Sequence, residues 1–284
     1  TEVVDMCDDP ATAFKRKKDS SLTVGLTMLK NGEGDAFVSA GSTGALLAAA
    51  TLLVKRIRGI RRAAMAPVIP TTGGKAVLID CGATADCTPE FLLQFAFMGS
   101  YYAEKVLGIE NPRVALLNIG AEDSKGGELQ KAVYPLLKQA GEAGAINFTG
   151  NIEARDVPLG GADVVVADGF SGNILLKGIE GTALFMASMM KDMFKKNLLT
   201  KLAALLCMDG VEAFKKKMDY RETGGTALIG LNKPVIKAHG SSDARAIYNA
   251  IRQTISFVDS GIIDDITANI SYMRVDKHAA KELD

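Results

Sequence analysis

The segment Asp163-Val-Val-Val-Ala-Asp-Gly-Phe-Ser-Gly-Asn173 joins a short apolar run to a polar loop that contains two glycines. Two earlier segments have the same order: Val114–Asn118 leads into the loop 119–126, and Ala145–Thr149 leads into the loop 150–156. Short apolar runs of this kind are typical of strands that are covered on both faces. In open α/β sheets, ligands bind beyond the carboxyl ends of the strands. The three segments therefore predict a parallel sheet with a site at its edge.

The rest of the chain alternates between predicted strands and predicted helices. Two further strands are expected at Ala36–Ser39 and Ala76–Asp80. The helical stretches are Thr43–Val54, Pro89–Leu107, Gly127–Ala140 and Asn173–Met190. This alternation predicts an α/β fold of three layers, with a mostly parallel sheet and helices on both faces. Right-handed crossovers would then place every loop after a strand at one edge.

The composition limits the classes of function. A length of 284 residues and a hydrophobic content of 48% suit one large domain or two packed lobes. The formal net charge of +0 gives no overall field that would attract nucleic acid. Four cysteines without a Cys-x-x-Cys spacing and only two histidines argue against a structural zinc site and for free thiols in a reducing cytoplasm. We find no signal peptide and no apolar run of membrane-spanning length.

The segment Ser39-Ala-Gly-Ser-Thr-Gly44 follows a predicted strand and opens an alanine-rich helix. Gly41 and Gly44 would let a ligand approach the backbone, and Ser42 and Thr43 add hydroxyl groups at a helix N-terminus. Such an N-terminus attracts anions through its unpaired amides and its dipole. We therefore predict that a phosphate or carboxylate binds here, with an ordinary N-cap as the alternative.

Lys125 lies in the polar loop that follows Asn118, next to a pair of glycines. A cation in such a loop at a strand end can neutralise a phosphate or polarise a carbonyl oxygen. The alternative is a surface lysine paired with Glu122 or Asp123, and the residues alone do not separate the two.

Asn173 follows Gly172 at the predicted start of a helix. Its amide is able either to cap that helix or to donate a hydrogen bond to a developing oxyanion. The residues alone favour the cap. Ser171 lies nearby, but its surroundings lack the Gly-x-Ser-x-Gly spacing of a nucleophile elbow.

His239 precedes Gly240, Ser241, Ser242 and Asp243 at another loop-to-helix junction. These groups are suited either to hold a second anionic group or to form a Ser/Asp helix cap. No clear Ser-His-Asp set is visible, since such a set is defined by geometry in three dimensions.

Asp80 and Asp86 flank the loop that follows the strand Ala76–Asp80. Two carboxylates are able to bind a metal ion, but no third ligand is evident. We therefore expect them to hold main-chain amides of the loop.

The segment 186–220, here called the basic segment, differs from the rest of the chain. We predict that it is helical. From Lys191 to Lys217 it contains seven lysines and three acidic residues, which give a net charge of +4. The leucines that would contact a membrane are Leu198, Leu199, Leu202, Leu205 and Leu206. A basic, leucine-rich helical hairpin fits an interfacial membrane contact. A dimer-packing or core hairpin fits equally well on these residues alone.

Taken together, the loops resemble the phosphate acyltransferases of bacterial phospholipid synthesis, the acyl carrier protein:phosphate transacylases. The matching segments are Ser39–Gly44, Asp80–Ala83, Leu93–Gly99, Asn118–Gly126, Asn147–Asp156, Asp168–Lys177 and His239–Ala244. Each segment is a weak signal, but the ordered set spans nearly the whole chain and is specific.

The resemblance implies a fold similar to phosphate acetyltransferases and the isocitrate/isopropylmalate dehydrogenases. It also implies transfer of a fatty acyl chain from acyl carrier protein to inorganic phosphate, which gives the acyl phosphate used by a glycerol-3-phosphate acyltransferase. Members resemble one another in being cytoplasmic homodimers that associate peripherally with the membrane. Neither a metal nor another cofactor is implied.

The resemblance supports Lys125 and Asn173 as the catalytic pair, and His239 would help to protonate the departing thiolate. The predicted phosphate- and substrate-binding residues are Gly41, Ser42, Thr43, Gly44, Asp80, Gly120, Glu122, Asp168, Ser171, Ser241 and Ser242. Phosphate is itself a nucleophile, so no side-chain nucleophile is required. The acidic carrier protein would dock on a basic patch, for which the candidate residues are Lys55, Arg56, Arg58, Arg61 and Arg62.

The family begins with a strand-helix-strand part that carries an Asp-x-Met-Gly-Gly-Asp motif, and this chain has none. We expect residues 1–284 to form the domain without that part, with the basic segment protruding from it. Three alternatives remain: a short-chain phosphate acetyl- or butyryltransferase that uses acyl-coenzyme A, a dehydrogenase of the isopropylmalate type, and an inactive scaffold.

Overall fold

The computed structural model describes residues 2–218 and 224–275, and within them nine strands form two sheets. The strands are β1 (Phe37–Ser39), β2 (Ala64–Ala66), β3 (Val68–Thr71), β4 (Gly74–Ile79), β5 (Arg113–Asn118), β6 (Asn147–Glu153), β7 (Val164–Val166), β8 (Gly225–Ile229) and β9 (Val235–Ala238). One sheet has the order β1-β9-β8-β2 and the other the order β3-β4-β7-β5-β6. Strands β4, β7, β5 and β6 are mutually parallel, as predicted.

Ten helices surround the sheets in the described part of the chain. They are α1 (Ala13–Arg16), α2 (Ser21–Asn31), α3 (Thr43–Leu53), α4 (Pro89–Lys105), α5 (Glu128–Glu142), α6 (Gly169–Lys195), α7 (Leu198–Leu206), α8 (Met208–Met218), α9 (Ala244–Asp259) and α10 (Ile262–Ala268). The predicted helices correspond to α3, α4, α5 and α6.

The five-stranded sheet is covered on both faces because successive side chains of a strand point to opposite sides. On one face, Val77 and Ile79 of β4 share a core with the apolar side chains of α4. On the other face, Leu78 lies in a separate core against which Leu175 and Ile179 of α6 pack. The three-layer α/β class predicted from the sequence is therefore confirmed.

The expectation that all loops after strands share one edge is wrong, because β1 lies in a different sheet from β4, β5 and β7. The segment 64–71 joins the sheets, since β2 pairs with β8 and β3 pairs with β4, both antiparallel. The amide of Cys81 also donates to the carbonyl oxygen of Met65 (3.0 Å). Strands β2, β3, β8 and β9 were not predicted from the sequence.

Strand β6 begins at Asn147, two positions after the predicted start at Ala145, and runs to Glu153, so the predicted end at Thr149 and the predicted loop start at residue 150 are wrong. The amide of Ala145 donates to the carbonyl oxygen of Ala140 (3.0 Å) and so still closes α5. Gly144, with φ +69°, makes this turn in the left-handed region that favours glycine.

The basic segment consists of the end of α6 followed by α7 and α8, and its residues 219 and 220 lie outside the described residues. Asn197 caps α7 by accepting a hydrogen bond from the amide of Thr200 (2.9 Å). No residue of α7 is buried, and its five leucines are 56% to 83% exposed. Across residues 2–218 and 224–275, no helix is long and apolar enough to cross a membrane.

Candidate active site

The N-terminus of α6 is built around Asp168. Its Oδ1 accepts hydrogen bonds from the amides of Phe170 (3.0 Å) and Ser171 (2.8 Å), and its Oδ2 accepts one from Ser171 Oγ (2.8 Å). An aspartate at this position satisfies amides that have no partner within the helix. The helix therefore starts at Gly169, and both the predicted start at Asn173 and the predicted cap by that residue are wrong.

The turn after β4 is organised by the buried carboxylate of Asp80. It accepts hydrogen bonds from the amides of Met65 (2.8 Å), Ala83 (3.1 Å) and Thr84 (2.7 Å). Burial raises the pKa of Asp80 to about 6, although these hydrogen bonds act in the opposite direction. The expectation that Asp80 holds loop amides is confirmed. In the described ranges no three His, Cys, Asp or Glu side chains are grouped as metal ligands.

The start of α6 lies directly against this turn because two of its residues are glycines. A Cβ atom on Gly169 would lie 2.6 Å from Asp80 Oδ2, and one on Gly172 would lie 2.0 Å from the Asp80 carbonyl oxygen. Beside them, a Cβ atom on Gly82 would lie 3.8 Å from Asn173 Cγ. The exposed Asn173 side chain thus borders the turn after β4.

The loop after β5 folds back on itself through main-chain and amide groups. Asn118 Nδ2 donates to the carbonyl oxygen of Lys125 (3.1 Å), and the Lys125 amide donates to the carbonyl oxygen of Glu122 (3.1 Å). A Cβ atom on Gly120 would lie 2.9 Å from both Glu122 Oε2 and Lys125 Cγ. A glycine is therefore needed at position 120 for these two side chains to lie where they do.

The acidic neighbours of Lys125 are engaged elsewhere or lie apart from its ammonium group. Tyr134 Oη donates to Asp123 Oδ1 (2.6 Å), and Lys138 Nζ lies 3.9 Å from Asp123 Oδ2. Among the described residues, no ion pair within 4.0 Å joins Lys125 to Glu122 or Asp123. The interpretation of Lys125 as a paired surface lysine is therefore not supported.

Lys125 and Asn173 occupy neighbouring positions along the sheet. Strands β5 and β7 are adjacent and parallel, so the loop after β5 and the helix after β7 leave the sheet at the same edge. Both side chains are exposed there. An ammonium group and an amide beside a helix N-terminus are suited to bind an anion and to donate hydrogen bonds to an oxygen that gains charge.

A second set of predicted residues lies at the start of α3, on the other sheet. Ser42 caps this helix, with its Oγ 3.4 Å from the amide nitrogen of Ala45. Thr43 is the first helical residue. A Cβ atom on Gly44 would lie 3.0 Å from Cγ of Pro10, so this glycine accommodates a neighbouring part of the chain. The N-cap alternative is thus confirmed for Ser42, and its hydroxyl hydrogen is still able to donate.

The loop after β9 lies beside the loop after β1 because the two strands pair in parallel. A Cβ atom on Gly240 would lie 3.9 Å from the carbonyl oxygen of Ala40, and the Gly41 amide donates to Ser39 Oγ (3.2 Å). His239 and Ser241 are bonded to each other, with Nδ1 and Oγ 2.7 Å apart. The predicted anion-binding groups after β1 and β9 are therefore neighbours.

The cap of α9 is Asp243, whose Oδ1 accepts from the amide of Ala246 (2.9 Å). Ser242 Oγ is buried and has no hydrogen-bond partner within the residues that the structure describes. Asp243 therefore serves the helix, as the Ser/Asp-cap alternative predicted.

The predicted site residues form two groups, one on each sheet. Around the five-stranded sheet lie Asp80, Gly120, Glu122, Lys125, Asp168, Ser171 and Asn173. Around the four-stranded sheet lie Gly41, Ser42, Thr43, Gly44, His239, Ser241 and Ser242. Three residues that hold the Lys125 loop were not predicted from the sequence: Asn118, Tyr134 and Asn151. Position after a predicted strand was a signal for Asn118 and for Asn151, whereas nothing local marked Tyr134.

The fold places the chain in a class of α/β proteins that includes phosphotransacetylases. A phosphotransacetylase from Streptococcus pyogenes matches with a TM-score of 0.59 and 23% identity, over 87% of this chain and 69% of that chain. At this level of identity the likeness shows the fold alone.

The sequence identifies the family within this class. The family model described as "Fatty acid synthesis protein" matches residues 1–265, and the chain belongs to this family. A phosphate acyltransferase from Thermoanaerobacterium thermosaccharolyticum is 50% identical over 281 residues, which cover 99% of this chain and 83% of the relative. Another from Thermoanaerobacter pseudethanolicus is 50% identical over 96% of this chain and 81% of its own length. The predicted family and the predicted enzyme class, an acyltransferase, are confirmed.

Proposed function

We propose that this protein transfers a fatty acyl group from the thioester of acyl carrier protein to inorganic phosphate. The acyl phosphate formed is a donor for acylation of glycerol 3-phosphate by a downstream acyltransferase. One observation carries the proposal beyond family membership: Lys125 and Asn173 are exposed at one edge of the five-stranded sheet, beside the N-terminus of α6. That edge suits an anionic nucleophile and a carbonyl oxygen that becomes charged.

The reaction needs positioning more than a protein nucleophile. A phosphate oxygen attacks the thioester carbonyl carbon, a C–O bond forms, and the carbonyl oxygen becomes an oxyanion. When this intermediate collapses, the C–S bond breaks and the thiolate leaves with a proton from solvent or from His239. Lys125 and Asn173 would stabilise the oxygens of phosphate and of the intermediate, because each retains free donor groups. Holding the two reactants together is worth several kcal/mol, of order ~7 or more in well-oriented systems.

The loops after β1 and β9 would bind a second anionic group of the substrates. The Ser42 hydroxyl and the amides at the start of α3 are donors, and the Ser242 hydroxyl adds another. Gly41, Thr43 and Gly44 would keep the backbone accessible. This role is testable by measuring KM for phosphate and for the acyl donor in a Ser42→Ala variant.

The exposed leucines of α7 and the lysines of the basic segment support peripheral membrane contact. Residues 186–218 would lie against an anionic bilayer surface from the cytoplasmic side, and two copies of the chain would form a homodimer. These features suit an enzyme whose acyl product passes to a membrane-bound step.

Acyl-phosphate formation from palmitoyl-acyl carrier protein and phosphate tests the reaction, with the product trapped by hydroxylamine. We expect phosphate-dependent product and little turnover of acetyl-coenzyme A. Turnover of acetyl-coenzyme A without any acyl phosphate from the carrier protein would favour a short-chain phosphotransacetylase instead.

A further inference from the structure

Asn151 lies on β6, opposite Leu116 of β5, and its side chain contacts the loop that carries Lys125. Its Nδ2 donates to the carbonyl oxygen of Glu122 at 2.8 Å. The same carbonyl oxygen accepts the hydrogen bond from the Lys125 amide at 3.1 Å. One main-chain oxygen thus closes the turn from Glu122 to Lys125 and also ties that turn to the neighbouring strand.

The other end of the turn is held from β5. Asn118 Nδ2 donates to the Lys125 carbonyl oxygen (3.1 Å), while Asn118 Oδ1 accepts from the Ile119 amide (2.8 Å). A Cβ atom on Gly126, where φ is +95°, would lie 2.6 Å from Asn118 Oδ1. The main chain at Lys125 is therefore fixed by two asparagines on adjacent strands.

In the described part of the chain, the side-chain amide of Asn151 makes a single hydrogen bond, the one to the Glu122 carbonyl oxygen. Its Oδ1 is buried and has no hydrogen-bond partner there. The orientation of the amide is fixed by chemistry, because exchanging its oxygen and nitrogen would oppose Oδ1 to the Glu122 carbonyl oxygen. A buried acceptor without a partner is costly. The Asn151 side chain leaves its own acceptor without a partner while it donates to the Lys125 loop, and this geometry points to a role in holding that loop.

We propose that Asn151 is a positioning residue for the acyl transfer, which acts by fixing the turn that presents Lys125. It touches neither reactant, and its effect depends on the ammonium group that the turn carries. This inference rests on the proposed role of Lys125. It adds that a residue of a different strand, Asn151 of β6, must hold the loop for Lys125 to act.

The chain offers a matched control on the same strand. Asn147 Nδ2 donates to the carbonyl oxygen of Asn111 at 3.0 Å, at the opposite end of β6 from the Lys125 loop. Asn147→Ala and Asn151→Ala therefore each remove one amide-to-carbonyl hydrogen bond from β6. We expect Asn151→Ala to lower kcat about tenfold or more, since small misplacements of a catalytic group have effects of this size, and Asn147→Ala to leave it within about threefold.

A double-mutant cycle separates positioning from general destabilisation. In a Lys125→Ala background, Asn151→Ala should change kcat by less than about threefold, because the group that it positions is gone. A full additional loss in that background would overturn the proposal, and so would an Asn151→Ala variant with wild-type kcat.

Amide hydrogen exchange in residues 119–127 gives a readout that does not depend on turnover. We expect faster exchange there in Asn151→Ala but not in Asn147→Ala. Unchanged exchange in both would overturn the proposal. If the wild-type protein makes no acyl phosphate, the proposed function fails, whereas selective loosening of the loop would still support the holding role of Asn151.

Discussion

Lys125 and Asn173 differ from the other polar residues at their edge of the sheet. Asp80 accepts hydrogen bonds from main-chain amides, and Asp168 and Ser171 are bonded to each other at the start of α6. In the described ranges the side chains of Lys125 and Asn173 are exposed and make no such bond. Donor groups that the fold does not use are available to a substrate.

Replacing either residue should impair the reaction and not the fold. We expect Lys125→Ala and Asn173→Ala each to lower kcat at least about tenfold, because loss of one oxyanion donor has effects of this size or larger. Initial rates of acyl-phosphate formation measure this, with circular dichroism to monitor the fold. Lys138→Ala and Lys177→Ala are controls that remove exposed lysines nearby. Near-wild-type rates in both active-site variants would exclude the assignment.

The stability of the protein should depend on the ionisation of Asp80. The pKa of Asp80 is about 6 in the folded chain, against an ordinary value of 3.8 that applies to the unfolded chain. Between these two pH values the folded chain therefore binds more protons than the unfolded chain. The free energy of unfolding should therefore rise as pH falls from about 7.5 to about 5, by about 1 kcal/mol from this group. The difference in unfolding free energy between wild type and Asp80→Asn isolates this contribution, because the other groups are common to both. An identical pH dependence in the two proteins would contradict it.

At the scale of elements, the contact between α6 and the turn after β4 positions Asn173. The contact is possible because Gly169 and Gly172 present bare backbone to Asp80. By contrast, a Cβ atom added at Gly178 or Gly181, further along α6, would meet no described residue outside its own helical turns within 4 Å. Glycine is thus required for close packing at the start of α6. In the middle of the helix it only lowers helix propensity.

Two single substitutions distinguish these situations. Gly172→Ala should lower the free energy of unfolding by about 1–3 kcal/mol and reduce kcat, because the added methyl group displaces α6 from the turn. Gly178→Ala should instead raise the free energy of unfolding by about 0.5–1 kcal/mol and leave kcat unchanged. Denaturant unfolding and initial rates measure both. A Gly172→Ala protein as stable and active as wild type would show that the contact is not needed.

The leucines of α7 should drive binding to lipid. The double variant Leu198→Ser/Leu206→Ser should lower the fraction bound to phosphatidylglycerol vesicles about tenfold or more, given the apolar area that two leucines bury. Leu159→Ser, at a 66% exposed leucine elsewhere, is the control. Co-sedimentation measures binding. If the wild-type protein does not bind vesicles and the leucine variant dissociates into monomers, α7 belongs to a dimer interface instead.

At the scale of the whole molecule, the predicted carrier-protein patch is partly engaged internally. Arg56 donates to the carbonyl oxygen of Arg61, whose guanidinium is 3.1 Å from Glu90, and Arg62 lies over the ring of Phe91. The remaining basic residues of the patch, Lys55 and Arg58, are exposed. They are the better candidates for contact with an acidic partner.

Charge reversal at Arg58 should weaken docking of acyl carrier protein. We expect Arg58→Glu to raise KM for the carrier-protein substrate about severalfold with kcat unchanged, since rim charges act mainly on association. KM for acyl-coenzyme A should stay constant, and Lys30→Glu, the same charge change on α2, should alter neither. Equal effects on both substrates would remove this patch from consideration.

The sequence by itself determined the α/β class and the strands that precede the polar loops, whereas Lys125 and Asn173 became the candidate pair only through the family resemblance, because the residues alone favoured a cap for Asn173 and left Lys125 undecided. The class and the strands can be read from the sequence alone. These features are encoded by neighbours along the chain: apolar periodicity, glycines in loops and helix-start chemistry. Only the tertiary structure decided that the strands divide into two sheets, that Asp168 caps α6, and that Asn151 holds Glu122. These depend on contacts between residues far apart in sequence or on competition between caps, such as the bond from Asn151 to Glu122 across 29 positions. Local patterns carry no information about which distant groups will meet, because that is settled by how the elements pack.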